Sequence, residues 1–227
     1  MQHQSNVNKK ETIIQTRAKK LRKKLSVIYP DAYCELDYKN PLQLLVATIL
    51  SAQCTDVRVN KVTPLLFQRC ESAIDYSTIS QEELETIIHS TGFFRNKATA
   101  IRKTAMALLQ RHQGIVPSTL GELSALPGVG RKTANVVLSN AFNIHEGVVV
   151  DTHVGRLAQR LGLTSQHHPV KIEQDLMKLF NRKDWGILSH WLIWHGRRRC
   201  YARKPDCRHC ELHGLCPSAK KFLIELG

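Results

Sequence analysis

Apolar side chains recur at helical spacing along most of this chain. Residues 11–29 predict a first helix behind a frayed polar tail, residues 1–10, and the apolar stripe of that helix comprises Ile13, Ile14, Ala18, Leu21, Leu25 and Ile28. Asn40 and Pro41 predict the start of a second helix, because Asn caps helices and Pro is favoured at their first position. Residues 42–50 are apolar nearly all round, so we expect that helix to be buried.

Further helices are predicted up to about residue 195, and Ser80 and Glu83 form a capping-box pattern before one of them. These helices cover about residues 56–66, 80–88, 98–113, 119–126, 134–141, 154–161, 169–180 and 184–195. The run Val148–Val150 is the one extended stretch that the sequence indicates. The predicted fold class is therefore all-α.

A short turn, Leu126-Pro127-Gly128-Val129-Gly130, separates two of these helices. Such a turn is too short to hide its backbone donors, so Gly128, Val129 and Gly130 are predicted to offer N–H groups to a phosphate at a helix start. Lys132 follows in the first turn of the next helix, where the helix dipole favours the neutral amine that a nucleophile needs. A simple phosphate contact by Lys132 is the alternative, and spacing alone favours it.

Asp151 follows the Val run and precedes the helical pattern of Val154 and Leu157. The residue pattern favours a helix N-cap, and a general base is the second interpretation.

Gln53 lies at the junction of two predicted helices. Its side chain could point into a groove or, as the sequence favours, donate a hydrogen bond to a loop carbonyl. Phe93 and Phe94 share a turn with basic residues, and we expect at most one of them to be exposed.

The charge favours a polyanionic partner. Lys and Arg total 33 against 19 Asp and Glu, a formal net charge of +14, which favours nucleic acid over an anionic membrane. No apolar run approaches the ~20 residues that a membrane span needs, and the polar start does not resemble a secretory signal. We therefore expect an intracellular protein. Six of the eight residues 17–24 are basic; a solvated helix face is favoured over a DNA-facing patch.

Four of the seven cysteines lie within 17 residues. Cys200, Cys207, Cys210 and Cys216 are separated by six, two and five residues. Zinc is normally held by two short chelating pairs, and only Cys207 and Cys210 form one, so the spacing also suits an iron–sulfur cluster. The pattern predicts a metal site and leaves the metal open. Cys34, Cys54 and Cys70 are interpreted as free thiols.

Together these motifs resemble the endonuclease III family of base-excision DNA glycosylases, over residues 11–220. Residues 126–135, LPGVGRKTAN, look like its helix–hairpin–helix; Val150-Asp151-Thr152-His153 looks like its catalytic aspartate motif; and the cysteine spacing matches its [4Fe–4S] loop. The resemblance implies two helical lobes with DNA in the cleft between them. One lobe spans 34–145 and contains the hairpin at about 119–142; the other joins 1–33 to 146–227 and carries the cluster loop, 200–216.

The resemblance also implies the chemistry. Lys132 would displace an oxidised pyrimidine as a Schiff-base nucleophile, Asp151 would assist it, and β-elimination would cut the strand 3′ to the abasic site. Cys200, Cys207, Cys210 and Cys216 would bind a [4Fe–4S] cluster. Gln53 matches the residue that fills the gap left by the flipped base, and Phe93 stands where a leucine wedge is typical. The expected partner is double-stranded DNA with damaged bases or abasic sites. We expect the protein to act as a monomer in a bacterial cytoplasm, at the nucleoid, and not to bind a membrane.

Three alternative functions remain at this point. The adenine-mismatch branch of the superfamily carries a glutamate where Ala47 stands and lacks the hairpin lysine, and both features argue against it. A lyase acting on purine lesions is possible, because a lysine alone does not select the base. A non-enzymatic DNA-binding or redox protein with a cluster would also fit the charge, the hairpin and the cysteines; the joint presence of Lys132 and Asp151 argues against it.

Overall fold

The computed structural model describes residues 2–225, and the side chains of residues 11–223. No strand occurs in residues 2–225, which confirms the all-α fold class. The helices are α1 Gln2–Ile28, α2 Pro41–Leu50, α3 Asp56–Arg69, α4 Ala73–Thr78, α5 Gln81–Ile88, α6 Phe94–His112, α7 Leu120–Ser124, α8 Arg131–Ala141, α9 Thr152–Arg160, α10 Pro169–Leu179, α11 Trp185–Arg198 and α12 Ala219–Glu225. Short 3₁₀ turns cover His89–Thr91, Arg182–Asp184 and His213–Leu215. In the described range, no helix has the length and apolarity to cross a bilayer.

Helix α1 begins earlier than predicted. It starts at Gln2, so the expectation of a tail over residues 1–10 is wrong for all but Met1, which lies outside the described residues. Residues 2–10 contain neither Pro nor Gly, so nothing in their sequence ends the helix before its amphipathic part.

Side-chain caps set several helix starts. Asn40 accepts a hydrogen bond from the Gln43 amide, and Pro41 is the first residue of α2, as predicted. Ser80 accepts a hydrogen bond from the Glu83 amide, which is one half of the predicted capping box. In the other half the Glu83 carboxylate would accept from the Ser80 amide, but here that carboxylate pairs with Arg69. A local pattern could not show this partner, which comes from another helix.

The chain separates into two compact units. The central unit, Cys34–Glu146, holds α2–α8 around its own core. Every residue of α2 from Leu44 to Leu50 is buried, as expected of a helix that is apolar all round. Helix α2 packs against α3, α6 and α8, so it lies at the middle of this unit.

The terminal unit joins Met1–Tyr33 to Gly147–Gly227. Its core is built from α1, α9, α10 and α11. Arg22 of α1 donates two hydrogen bonds, of 2.8 and 2.7 Å, to the buried carboxylate of Asp184 just before α11. This paired geometry satisfies a carboxylate that would otherwise be costly to bury. It also assigns one member of the basic 17–24 stretch a role inside the protein.

A partly buried histidine of α11 makes stability depend on pH. Burial lowers the pKa of His190 to about 4, whereas an unfolded histidine titrates near pH 6.5. Between these values the unfolded chain binds a proton and the folded chain does not, so acid favours unfolding.

We expect the free energy of unfolding of the wild type to fall about 1 kcal/mol per pH unit more steeply than that of His190→Gln as the pH drops through this window. Urea denaturation at a series of pH values measures both slopes. His168→Gln, which removes an exposed histidine, is the control and should follow the wild type. Parallel slopes for His190→Gln and wild type would contradict the assignment.

Candidate functional site

The hairpin between α7 and α8 is fixed by its contact with α6. Gly128 has φ +77°, a conformation that side chains disfavour, and a Cβ on it would lie 2.9 Å from the Cβ of Ala100. One turn further along α6, the Thr104 hydroxyl donates to the Pro127 carbonyl at 2.5 Å. The turn therefore requires glycine at 128 and lies directly on the helix surface.

The three predicted phosphate donors do not behave alike. The Val129 amide donates to the Leu126 carbonyl at 3.1 Å, and the Val129 side chain is buried. Val129 therefore closes the turn, and the prediction that its N–H is offered to a phosphate is wrong. The amides of Gly128 and Gly130 have no hydrogen-bond partner in the described part of the chain, and Gly130 is the N-cap of α8. Two backbone donors are thus left at the positive end of a helix, which suits an anion.

Lys132 is the second residue of α8 and its side chain is exposed. Ala134 and Leu138 of the same helix are buried, so α8 packs through one face and presents Lys132 on another. The lysine follows Gly130, which carries one of the open amides of the hairpin turn, by two residues. An exposed amine next to a phosphate site can either contact the phosphate or react with the sugar that the phosphate carries.

Gln53 and Phe93 line one surface pocket of the central unit, together with Lys97, Gly128 and Thr133. Both are exposed, and both have positive φ values, 53° for Gln53 and 48° for Phe93. The exposure of Gln53 favours the groove interpretation over the loop-carbonyl one.

The next residue, Phe94, packs against the central core and contacts His89, with the ring centroids 4.4 Å apart and the ring planes tilted by 39°. One phenylalanine of the pair is therefore exposed, as expected.

Asp151 begins α9 in the terminal unit. Its backbone is extended, and its Oδ1 accepts a hydrogen bond of 2.8 Å from the Val154 amide, which confirms the predicted N-cap. The cap uses one carboxylate oxygen and leaves the other for a second task. Capping and catalysis are therefore compatible at this residue.

The four clustered cysteines line one cavity of the terminal unit, together with Leu157, Leu161 and Phe222. Arg160 donates to the Cys200 sulfur at 3.2 Å and to the carbonyls of Tyr201 and Ala202. His195 lies 3.5 Å from the Cys210 sulfur. An arginine donor and an imidazole beside sulfurs in an apolar surround are a setting that thiolate-bound metal centres use.

The cysteine thiols are close enough to affect one another. Burial is the main reason that the pKa of Cys207 is raised, and Cys200 and Cys216 raise it further. Burial also raises the pKa of Cys210 to about 11. Within the described residues, no three His, Cys, Asp or Glu side chains converge as they would on a single metal ion. Binding a metal centre would displace the thiol protons.

Sequence reasoning missed the residues that support the cysteine loop. Arg156 donates to the carbonyls of Gly196 and Cys200, at 3.0 and 2.9 Å, and Arg160 lies one helical turn later. Their i, i+4 spacing on α9 places both on one face, and this signal could have been read from the sequence. Lys97 was also missed, because its burial depends on partners far away in the chain.

Comparison with known proteins matches this geometry. The family model for the HhH-GPD superfamily base excision DNA repair protein matches residues 46–182. The chain is 57% identical to endonuclease III of Synechocystis sp. over 196 residues, covering 86% of this chain and 90% of that protein. It is 44% identical to endonuclease III of Bacillus subtilis, covering 87% and 90%.

A solved structure extends the similarity to three dimensions. It is an endonuclease III trapped as a covalent intermediate with DNA, in an estranged-adenine complex. It matches with a TM-score of 0.89 and 43% identity, over 92% of this chain and 98% of that one. The chain therefore belongs to the HhH-GPD superfamily of base excision DNA repair proteins and, within it, to the endonuclease III family.

Proposed function

We propose that this protein is a bifunctional DNA glycosylase and abasic-site lyase that removes oxidised pyrimidines from double-stranded DNA. The observation that carries the proposal is the exposed Lys132, which lies on the first turn of α8 and follows the open amide of the N-cap Gly130 by two residues. In a member of the endonuclease III family, this arrangement supports a nucleophile next to a bound phosphate.

Lys132 acts on a nucleotide that has left the base stack, because C1′ is inaccessible inside a duplex. The lysine nitrogen bonds to C1′, the bond from C1′ to the base breaks, and the base leaves with a proton. Opening of the sugar ring gives a Schiff base. Loss of a C2′ proton then breaks the C3′–O bond, which cuts the strand 3′ to the lesion, and water releases the lysine.

Asp151 assists this chemistry with the carboxylate oxygen that the helix cap does not use. It accepts a proton from the attacking amine or stabilises the positive charge that develops on the sugar. The cap holds the carboxylate in one orientation, so the structural role supports the catalytic one.

Gly128 and Gly130 bind the DNA backbone, Gln53 fills the gap that the flipped base leaves, and Phe93 inserts into the stack beside it. An exposed aromatic side chain can enter a base step and partly unstack it. The net charge of +14 supplies the general attraction for DNA. We infer that the protein acts as a monomer, at the DNA of a bacterial cytoplasm.

Cys200, Cys207, Cys210 and Cys216 hold a [4Fe–4S] cluster in this proposal. The shared cavity, the hydrogen bond that Arg160 donates to Cys200 and the contact between His195 and Cys210 support a thiolate-bound centre. When bound, the cluster would cross-link the loop 200–216 through its four cysteines and would take no part in the bond changes at the DNA. Arg160 and Arg156 hold the loop backbone against α9.

Lys132→Arg tests the nucleophile, because arginine keeps the positive charge and has no primary amine that can form the Schiff base. We expect borohydride trapping on a duplex with an oxidised pyrimidine to disappear and strand cleavage to fall by more than about a thousandfold. Affinity for the duplex should stay near that of the wild type.

Undiminished trapping by Lys132→Arg would reject Lys132 as the nucleophile and leave it as a phosphate contact. Wild-type assays on duplexes carrying oxidised guanine, an abasic site or an adenine mismatch test the base class. Preference for either purine substrate over the oxidised pyrimidine would contradict the pyrimidine assignment.

Asp151→Asn separates catalysis from capping, because Asn caps helices about as well as Asp but lacks the charge. We expect base excision to fall by roughly 10²–10⁴-fold, while thermal unfolding and DNA affinity change little. Asp151→Ser, another good cap without a carboxylate, should behave the same way. Full activity in either variant, or a loss that follows destabilisation alone, would show that Asp151 only caps α9.

The cluster predicts a brown protein with about four irons per chain, measured by visible absorbance and iron analysis. Cys210→Ser should lose colour and iron, because it removes one ligand. Cys34→Ser, a cysteine of the central unit, is the matched control and should keep both. A colourless wild type that holds one zinc would contradict the cluster.

A further inference from the structure

One lysine of the central unit is buried with its charge directed at backbone. Lys97, in the first turn of α6, is only 5% exposed. Its Nζ donates to the carbonyls of Leu50 and Thr91, both at 2.8 Å. Burial of an ammonium costs free energy unless hydrogen bonds satisfy it. An apolar residue at this position would avoid that cost but could not bond the two carbonyls, so we ask what these bonds achieve.

The surroundings of Lys97 favour these bonds over an ion pair. Leu50 is the last residue of α2, where carbonyls lack helical partners and the helix dipole attracts a cation. Burial lowers the pKa of Lys97, and the nearby Cys54 acts in the opposite direction. The lysine therefore joins the end of α2 to the 3₁₀ turn His89–Thr91, which are far apart in sequence.

The two joined segments lead directly to Gln53 and Phe93, which are exposed and have positive φ. Gln53 follows Leu50 by three residues, and Phe93 follows Thr91 by two. Such values are uncommon for residues other than glycine, and they persist only where the surrounding structure holds them. One ammonium thus fixes the starting points of both turns, and Gln53, Phe93 and Lys97 line the same pocket.

We propose that Lys97 is a positioning residue that clamps these two turns together, so that Gln53 and Phe93 reach damaged DNA as one preformed unit. This inference rests on the proposed DNA contacts of Gln53 and Phe93. Because the pair is preformed, binding does not lose the conformational entropy of ordering two mobile turns. This advantage increases affinity only for DNA in which a gap or a lesion receives the two side chains.

The test is a double-mutant cycle on DNA affinity. Lys97→Met keeps the length and apolar stem of the side chain and removes its donors. Binding is measured to a duplex with an uncleavable tetrahydrofuran abasic analogue and to the undamaged duplex. We expect Lys97→Met to weaken abasic-duplex binding about tenfold and undamaged-duplex binding less than about twofold.

The same substitution is then made in a Gln53→Ala/Phe93→Ala background. With no side chains left to position, Lys97→Met should weaken abasic-duplex binding there by less than about twofold. Lys103→Met, which removes an exposed lysine of the same helix, is the matched control and should leave the ratio of abasic to undamaged affinity unchanged. If Lys97→Met does not fold, Lys97→Gln replaces it, and the same pattern is expected because the shorter, uncharged side chain does not reproduce both bonds of the ammonium.

Two results would overturn the inference in distinguishable ways. Equal losses in both backgrounds, or no loss in the wild-type background, would show that Lys97 does not position these residues. If Gln53→Ala/Phe93→Ala binds the abasic duplex as tightly as wild type, the proposed DNA contacts fail and the inference fails with them. Borohydride trapping by the wild type tests the lyase function separately from either result.

Discussion

The close approach of Gly128 to α6 is the constraint on which the hairpin depends. A Cβ at position 128 would collide with Ala100. If the hairpin turn moved away from α6 to relieve this clash, it would lose the hydrogen bond from Thr104 to the Pro127 carbonyl. The position of that turn determines where α8 begins, and hence where the open amides and Lys132 lie. The proposed nucleophile is thus placed by a contact in which it takes no part.

Helix α6 organises more than the hairpin. Lys97, Ala100 and Thr104 are three and four residues apart, so they share one face of the helix. The first holds the turns of Gln53 and Phe93, and the other two hold the hairpin. The separate apolar stripe of α6, which includes Ala98, Ile101 and Ala105, packs into the core. One helix therefore anchors the unit with one face and aligns its proposed DNA contacts with another.

Local patterns predicted what local physics decides. The caps at Asn40 and Asp151 and the burial of α2 could be read from neighbouring residues. The burial of Lys97 could not, because its two acceptors belong to other segments and a lysine in a polar turn is normally exposed. The pairing of Glu83 with Arg69 was missed for the same reason. The N–H of Val129 was misjudged because a turn can use its own donors, which residue type does not reveal.

Charge and shape contribute differently to the proposed recognition. The positive charge of the chain and the amides of Gly128 and Gly130 act on phosphates, which are the same at every nucleotide, so they bring DNA to the surface without selecting damage. Discrimination must come from groups that interact with the base stack itself. Gln53 and Phe93 are neutral, so the energy that they contribute depends on geometry rather than on charge. A neutral contact is effective only if it is already in place, and this is why a buried ammonium that holds their backbone matters more to selectivity than another lysine on the surface would.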